Sequence, residues 1–204
     1  MPELSFADTK STCYLAYDAV RNESYRFPDG VVWRVVEDWI TTITGFKAIL
    51  LRPSEASKNV VVLSFAGTDS LLDVAVDIAQ VLNSTPTQYS QALLLAQQCS
   101  ARIGSSLFLT GHSLGGGLAA YSSVDTRIPA NTINPAPLVG AANFSAIFRE
   151  NAQITNFIAG GSEFVSSSPG RNPGRDVAVE GRGNFFMRHT LINTAPAIPL
   201  PVKV

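Results

Sequence analysis

Between Leu107 and Ala120 the chain reads LFLTGHSLGGGLAA, and inside it Gly111-His112-Ser113-Leu114-Gly115 follows the G-x-S-x-G pattern. The apolar run Leu107-Phe108-Leu109 predicts a buried strand, and the small residues from Gly117 onward predict a helix packed close to a sheet. A strand that turns at once into a helix makes a strained bend. Glycines two positions either side of the serine remove the side chains that would collide there. The hydroxyl of Ser113 is then lifted out at the C-terminal edge of the sheet, over a helix N-terminus that favours developing negative charge. Such a serine becomes a nucleophile once a base stands beside it.

The base follows by elimination, since the chain has two histidines. His112 adjoins the serine within the bend, so its ring should turn away, leaving His189 as the imidazole that takes the proton. An acid is needed to hold that imidazole, and the carboxylates between serine and histidine are Asp125, Glu150, Glu163, Asp176 and Glu180. Active sites of open α/β sheets lie beyond the C-terminal ends of the strands. Asp125 and Glu150 fall at the wrong edge. Glu163 comes just past the predicted strand Ile154 to Ala159, at the right edge, and Asp176 is the alternative. The second requirement is an oxyanion hole, one donor from the residue after the nucleophile and one from an earlier strand-to-helix loop. Leu114 and Thr68 fit those places.

The elements that must carry these residues are legible in part. A first helix is expected from Ser5 to Arg21, with Phe6, Cys13, Tyr14, Tyr17 and Val20 as its apolar side. Val31 to Ile40 and Gly45 to Leu51 read as strands, and Val60 to Phe65 as a strand covered on both faces. Ser70-x-x-Asp73 opens a helix running to about Leu82. Thr85-Pro86 opens another, closed by Gly104, with Tyr89, Leu93, Ala96 and Ile103 on one face. Beyond the elbow helix come a short strand around Thr132 to Pro135, a helix from Ala141 to Glu150 and the strand Ile154 to Ala159. This alternation predicts a doubly wound α/β sheet. Ser166 to Phe185 reads as a long loop or flap, and the proline-rich tail from Pro196 to Val204 as non-helical. The whole is expected to be one domain: an N-terminal helix and strand up to residue 44, a core over 45–190, and the tail.

Composition narrows the function further. The 204 residues are 46% hydrophobic and 15% charged, with a formal net charge of -1, so no electrostatic footprint for nucleic acid is present. The sequence has no apolar run of membrane-spanning length, although the mean hydropathy is +0.16. The N-terminus lacks a basic segment followed by an apolar core, so a cytoplasmic location is the default expectation, with export by a signal-independent route also open. Cys13 and Cys99 are expected as buried free thiols. Two histidines and two distant cysteines leave the usual metal-ligand sets incomplete, and neither metal nor cofactor is expected.

The blocks VVVLSFAGTDSLLDVAVDI, LFLTGHSLGGGLAAY and TINPAPLVG resemble the class 3 (fungal-type) lipase family, over roughly Gly45 to His189. The resemblance implies an α/β-hydrolase fold, mostly parallel with helices on both faces and a minimal lid. It also implies hydrolysis of lipid esters, phospholipids included, through an acyl-enzyme on Ser113. Thr68 matches the family's oxyanion hydroxyl residue, and Glu163 and His189 match its acid and base. Ala66 stands where the family usually has arginine, Glu163 where aspartate is commoner, and no separate lid is evident. A lipid substrate would bring transient contact with a membrane surface. Arg171, Arg175, Arg182 and Arg188 surround the flap, where guanidinium groups either meet phosphate or simply solvate a surface. The competing readings are a carboxylesterase or acyltransferase on small esters and an inactive hydrolase-fold binding module.

Overall fold

The computed structural model describes residues 3–55, 58–67, 86–138, 153–184, 187–191, 194 and 201–204. Thr68, the helix expected from Ser70 and the one expected from Ala141 lie outside them. Among the described residues nine strands form one sheet: β1 Ser24–Arg26, β2 Val32–Ile40, β3 Lys47–Pro53, β4 Val61–Phe65, β5 Leu107–His112, β6 Ala130–Ile133, β7 Ile154–Ala159, β8 Arg175–Val179 and β9 Val202–Lys203. The described helices are α1 Phe6–Asp18, α2 Pro86–Ile103 and α3 Leu114–Thr126. The spatial order is β8-β7-β6-β5-β4-β3-β2-β1-β9. Pairing is parallel from β4 to β8 and antiparallel from β4 out to β1 and β9.

Alternating side chains of the central strands feed two cores on opposite faces. Ala48, Leu50, Leu63, Phe65, Leu107 and Leu109 face α2 and α3, whose Ala92, Leu95, Ala96, Cys99, Leu118 and Val124 cover them. Ile49, Leu51, Val62 and Phe108 face the other way and pack under Leu15 and Ala16 of α1 and its C-cap Ala19. Helices therefore lie on both faces, and β4 is buried along its whole length. The winding differs from the expected doubly wound order. From β1 to β8 the strands succeed one another in one direction, only β9 returns to the far edge beside β1, and the second face is covered by α1.

Two local expectations need correction, and two short strands had no counterpart among them. The segment read as a structureless flap contains β8, paired in parallel with β7. It is short, it begins Arg175-Asp176 and it lies at the sheet edge, where one face and one margin meet water and no apolar pattern is required. β1 and β9 are three and two residues long and pair antiparallel through contacts remote in sequence. The inner face of α1 is also more polar than its apolar spacing predicts: Tyr14 and Val20 are exposed, whereas Thr9, Lys10, Ser11 and Thr12 are buried. Hydrogen bonds stitch it to the sheet, from Asn131 Nδ2 to Thr9 Oγ1 (3.0 Å) and between the Thr12 and Thr110 hydroxyls (3.2 Å). Lys10 Nζ donates to the carbonyl of Thr194. Cys13 and Cys99 are free and buried, and burial pushes the Cys13 thiol up to about 12.

Candidate active site

β5 delivers Ser113 to the edge of the sheet at φ 57°, ψ −126°, a strained conformation for a residue with a side chain. The glycines around it are enforced by space. A Cβ on Gly111 would lie 2.1 Å from the carbonyl oxygen of Gly115, and one on Gly115 would lie 2.2 Å from that of Phe65. The second contact also brings the end of β4 against the first turn of α3. A Cβ on Gly67 would meet the Ser113 Cβ at 3.2 Å, so the loop leaving β4 passes directly beside the serine. Leu114, buried, is the first residue of α3, where backbone N–H groups have no intrahelical acceptor.

His189 reaches the same place from a short 3-10 turn, Met187–His189. Its Nε2 lies 2.9 Å from Ser113 Oγ and its Nδ1 lies 2.8 Å from Glu163 Oε2. A carboxylate only accepts, so Nδ1 carries the hydrogen and donates to it. Nε2 is then an acceptor, and the serine hydroxyl donates to it. Glu163 follows β7 after Gly160 and Gly161, both in the left-handed region at φ 67° and 75°, which a tight reversal requires. It is fully buried and accepts backbone N–H bonds from Val165 to Oε2 (2.9 Å) and Ser166 to Oε1 (2.5 Å). Burial alone would raise its titration. The His189 hydrogen bond and charge, together with the Ser166 bonds, outweigh that and hold the carboxyl below its ordinary range.

Glu150 is outside the described residues, and the other three candidate carboxylates lie elsewhere. Asp176 is exposed on β8 and accepts from Asn156 Nδ2 at 2.9 Å. Asp125 sits in the last turn of α3 and accepts from Gln97 Nε2 at 3.3 Å. Glu180 is exposed past the end of β8.

Two residues without an assigned part in the sequence reading prove central to the geometry. The His112 ring does turn from the serine, and it takes up a task of its own. Its Nε2 lies 2.7 Å from the carbonyl oxygen of His189 and its Nδ1 2.7 Å from the Tyr17 hydroxyl. The carbonyl can only accept, so Nε2 carries the hydrogen and Tyr17 donates to Nδ1. Burial, and then the neighbouring His189, push His112 down to about 3, so it stays neutral. Asn134, at φ 44°, donates from Nδ2 to the carbonyls of Arg188 (2.9 Å) and His189 (3.0 Å), and its Oδ1 accepts from Ala159 N–H (2.9 Å). Together they clamp the main chain that carries the His189 ring. The available signal for Asn134 was an asparagine between a strand and a proline at the catalytic edge. For His112 no local signal exists, because its partners come from α1 and from residue 189.

A strained serine at the C-terminal edge of a parallel strand, bonded to a buried histidine–carboxylate pair, belongs with the α/β-hydrolase fold. Solved structures agree on that fold. The Penicillium expansum triacylglycerol lipase superposes with a TM-score of 0.63 at 14% identity, over 96% of this chain and 80% of that one. The Rhizomucor miehei lipase does so with a TM-score of 0.52 at 14% identity, over 72% and 57%. The sequence model of the Tle-like phospholipase domain matches residues 32–158, and the chain belongs to that phospholipase-like family. A stretch of 75 residues, 37% of the chain, is 41% identical to part of the extracellular phospholipase A1 of Serratia liquefaciens. That stretch spans 24% of the Serratia protein. Among the described residues no helix is long and apolar enough to cross a membrane.

Proposed function

We propose that this chain hydrolyses carboxylic ester bonds of lipids, phospholipids foremost, with Ser113, His189 and Glu163 as its catalytic triad. The observation that carries the reading is the continuous path from Glu163 through His189 to Ser113, with bonds of 2.8 Å and 2.9 Å at the strained elbow. His189 Nε2 takes the hydroxyl proton as Ser113 Oγ attacks the ester carbonyl. The tetrahedral oxyanion is held by the Leu114 N–H at the head of α3 and by Thr68, next in sequence after the Gly67 that abuts the serine. His189 then passes its proton to the departing alcohol, leaving an acyl-serine. A water molecule gives a proton to His189 and attacks the acyl carbon; the bond from that carbon to Ser113 Oγ then breaks, His189 returns the proton to Oγ, and the fatty acid leaves. Glu163 keeps the imidazole in the productive tautomer and stabilises the transient imidazolium.

Family membership and the Serratia phospholipase A1 stretch favour a lipid ester over a small soluble one. The test is a chain-length series of chromogenic esters beside digestion of phospholipid analysed by mass spectrometry, for the natural chain and Ser113→Ala. Release of fatty acid from phospholipid, lost in Ser113→Ala, is expected. Turnover confined to short esters would replace the lipid reading with that of a carboxylesterase. Absence of all turnover would leave a binding module.

A further inference from the structure

The turn between β2 and β3 holds the most exposed large hydrophobic side chain among the described residues. Ile43 is 97% exposed, and Ile40 at the end of β2 is 55% exposed. Residues 39–46, Trp-Ile-Thr-Thr-Ile-Thr-Gly-Phe, carry no charge. The turn is anchored from several sides. The Thr41 and Thr44 hydroxyls are 2.7 Å apart, and Thr41 N–H donates to Phe46 O at 2.9 Å. Thr44 Oγ1 donates to Gln91 Oε1 of α2 at 3.0 Å, and Gln88 Nε2 donates to Thr44 O. Phe46 is buried with its ring centroid 6.1 Å from that of Phe65. The protein thus uses side chains of two elements to hold an isoleucine out in water.

Strand register fixes which way this tip points. Gly111, two residues before the nucleophile, pairs with Phe65, Phe65 with Ala48, and Lys47 with Ile40. The β2–β3 turn therefore projects from the same edge of the sheet as Ser113, two strands away. On the other side of the serine, half-exposed Met187 adjoins His189.

We propose that the β2–β3 turn, with Ile43 at its tip and Ile40 behind it, is a lipid-docking element that seats the catalytic edge on an uncharged phospholipid surface. The proposal rests on the lipid-ester reading above. A stable protein partner needs an interface of about 1,000 Å² or more, which the short tip of residues 39–46 does not offer. A bilayer needs no complementary pocket, and it accepts a protruding aliphatic side chain between its headgroups. The absence of charge over residues 39–46 suits zwitterionic headgroups, and the threonines around Ile43 can hydrogen-bond at the interface.

The test uses the full chain, Ile43→Ser and Ile43→Trp, with phosphatidylcholine vesicles and a water-soluble short-chain ester. Ile43→Ser is expected to lower the vesicle-bound fraction about tenfold, and vesicle hydrolysis with it, while short-ester kcat/KM stays within about twofold. Ile43→Trp is expected to retain vesicle binding, with tryptophan emission shifting to the blue on adding vesicles. Equal vesicle binding by the natural chain and Ile43→Ser, or emission indifferent to vesicles, overturns the proposal. So does a dimer that Ile43→Ser converts to monomer with vesicle binding unchanged, which would make a second copy the occupant. If the natural chain turns over neither substrate, the hydrolase reading fails, and the binding and emission measurements still decide the role of the tip.

Discussion

Acidification should act on this protein through His112 in a way that can be isolated. The ring is sealed between Tyr17 and the His189 carbonyl and is held at about 3 against an ordinary 6.5. Below the ordinary value the unfolded chain binds a proton at residue 112 that the folded chain refuses, so stability falls as pH falls from about 6.5 toward 3. For those two values the loss between pH 7 and pH 5 is about 2 kcal/mol. In a domain of this size that is a drop in Tm of roughly 4–8 °C. Glu163, held below the usual carboxylate range, acts on stability mainly below about pH 5, where the unfolded chain's carboxyl takes up a proton that the folded one resists. The comparison is His112→Gln, whose amide retains one donor and one acceptor and does not titrate. Urea unfolding of both proteins at the two pH values gives a difference of differences in which the remaining groups cancel. The natural chain should lose about 2 kcal/mol more than His112→Gln. Parallel losses would refute the reasoning, and would mean that water or a relaxation of Tyr17 lets the ring charge in the folded state.

Two further expectations concern the elbow and the acid. Gly115→Ala should destabilise the fold by about 3 kcal/mol or more, because its methyl would lie 2.2 Å from the Phe65 carbonyl oxygen; thermal melts or soluble yield report it. Glu163→Gln should lower kcat by roughly a thousandfold or more with KM little changed, since three N–H donors converge on a group that no longer only accepts. Steady-state kinetics on a soluble ester checks this, with circular dichroism to verify the fold.

What could be read from the sequence was whatever local spacing determines. The bend at Ser113 needs glycines within two residues, so the motif is local. The placement of Glu163 at the same edge followed from the strand β7 that ends four residues before it. Elimination singled out His189 because the chain holds so few histidines. Features made by distant partners were not legible. β8 is charged, short and at an edge, so its pairing with β7 left no periodic trace. The buried face of α1 is polar because Thr110 and Asn131 present hydrogen-bonding groups toward it, a fact of the opposing strands and not of the helix. The clamp of His112, Tyr17 and Asn134 on the His189 backbone unites four separate segments, and no spacing within any one of them announces it.

The successive order of strands β1 to β8 has a consequence for synthesis. As the polypeptide leaves the ribosome, the elbow can assemble on β4 and β5 long before residue 189 has been made. During that interval Ser113 Oγ lacks the His189 Nε2 that it meets in the folded chain, so the emerging chain should be without the proposed activity. The proposed hydrolytic power would then arrive late, when the returning segment docks its main chain on His112 and Asn134.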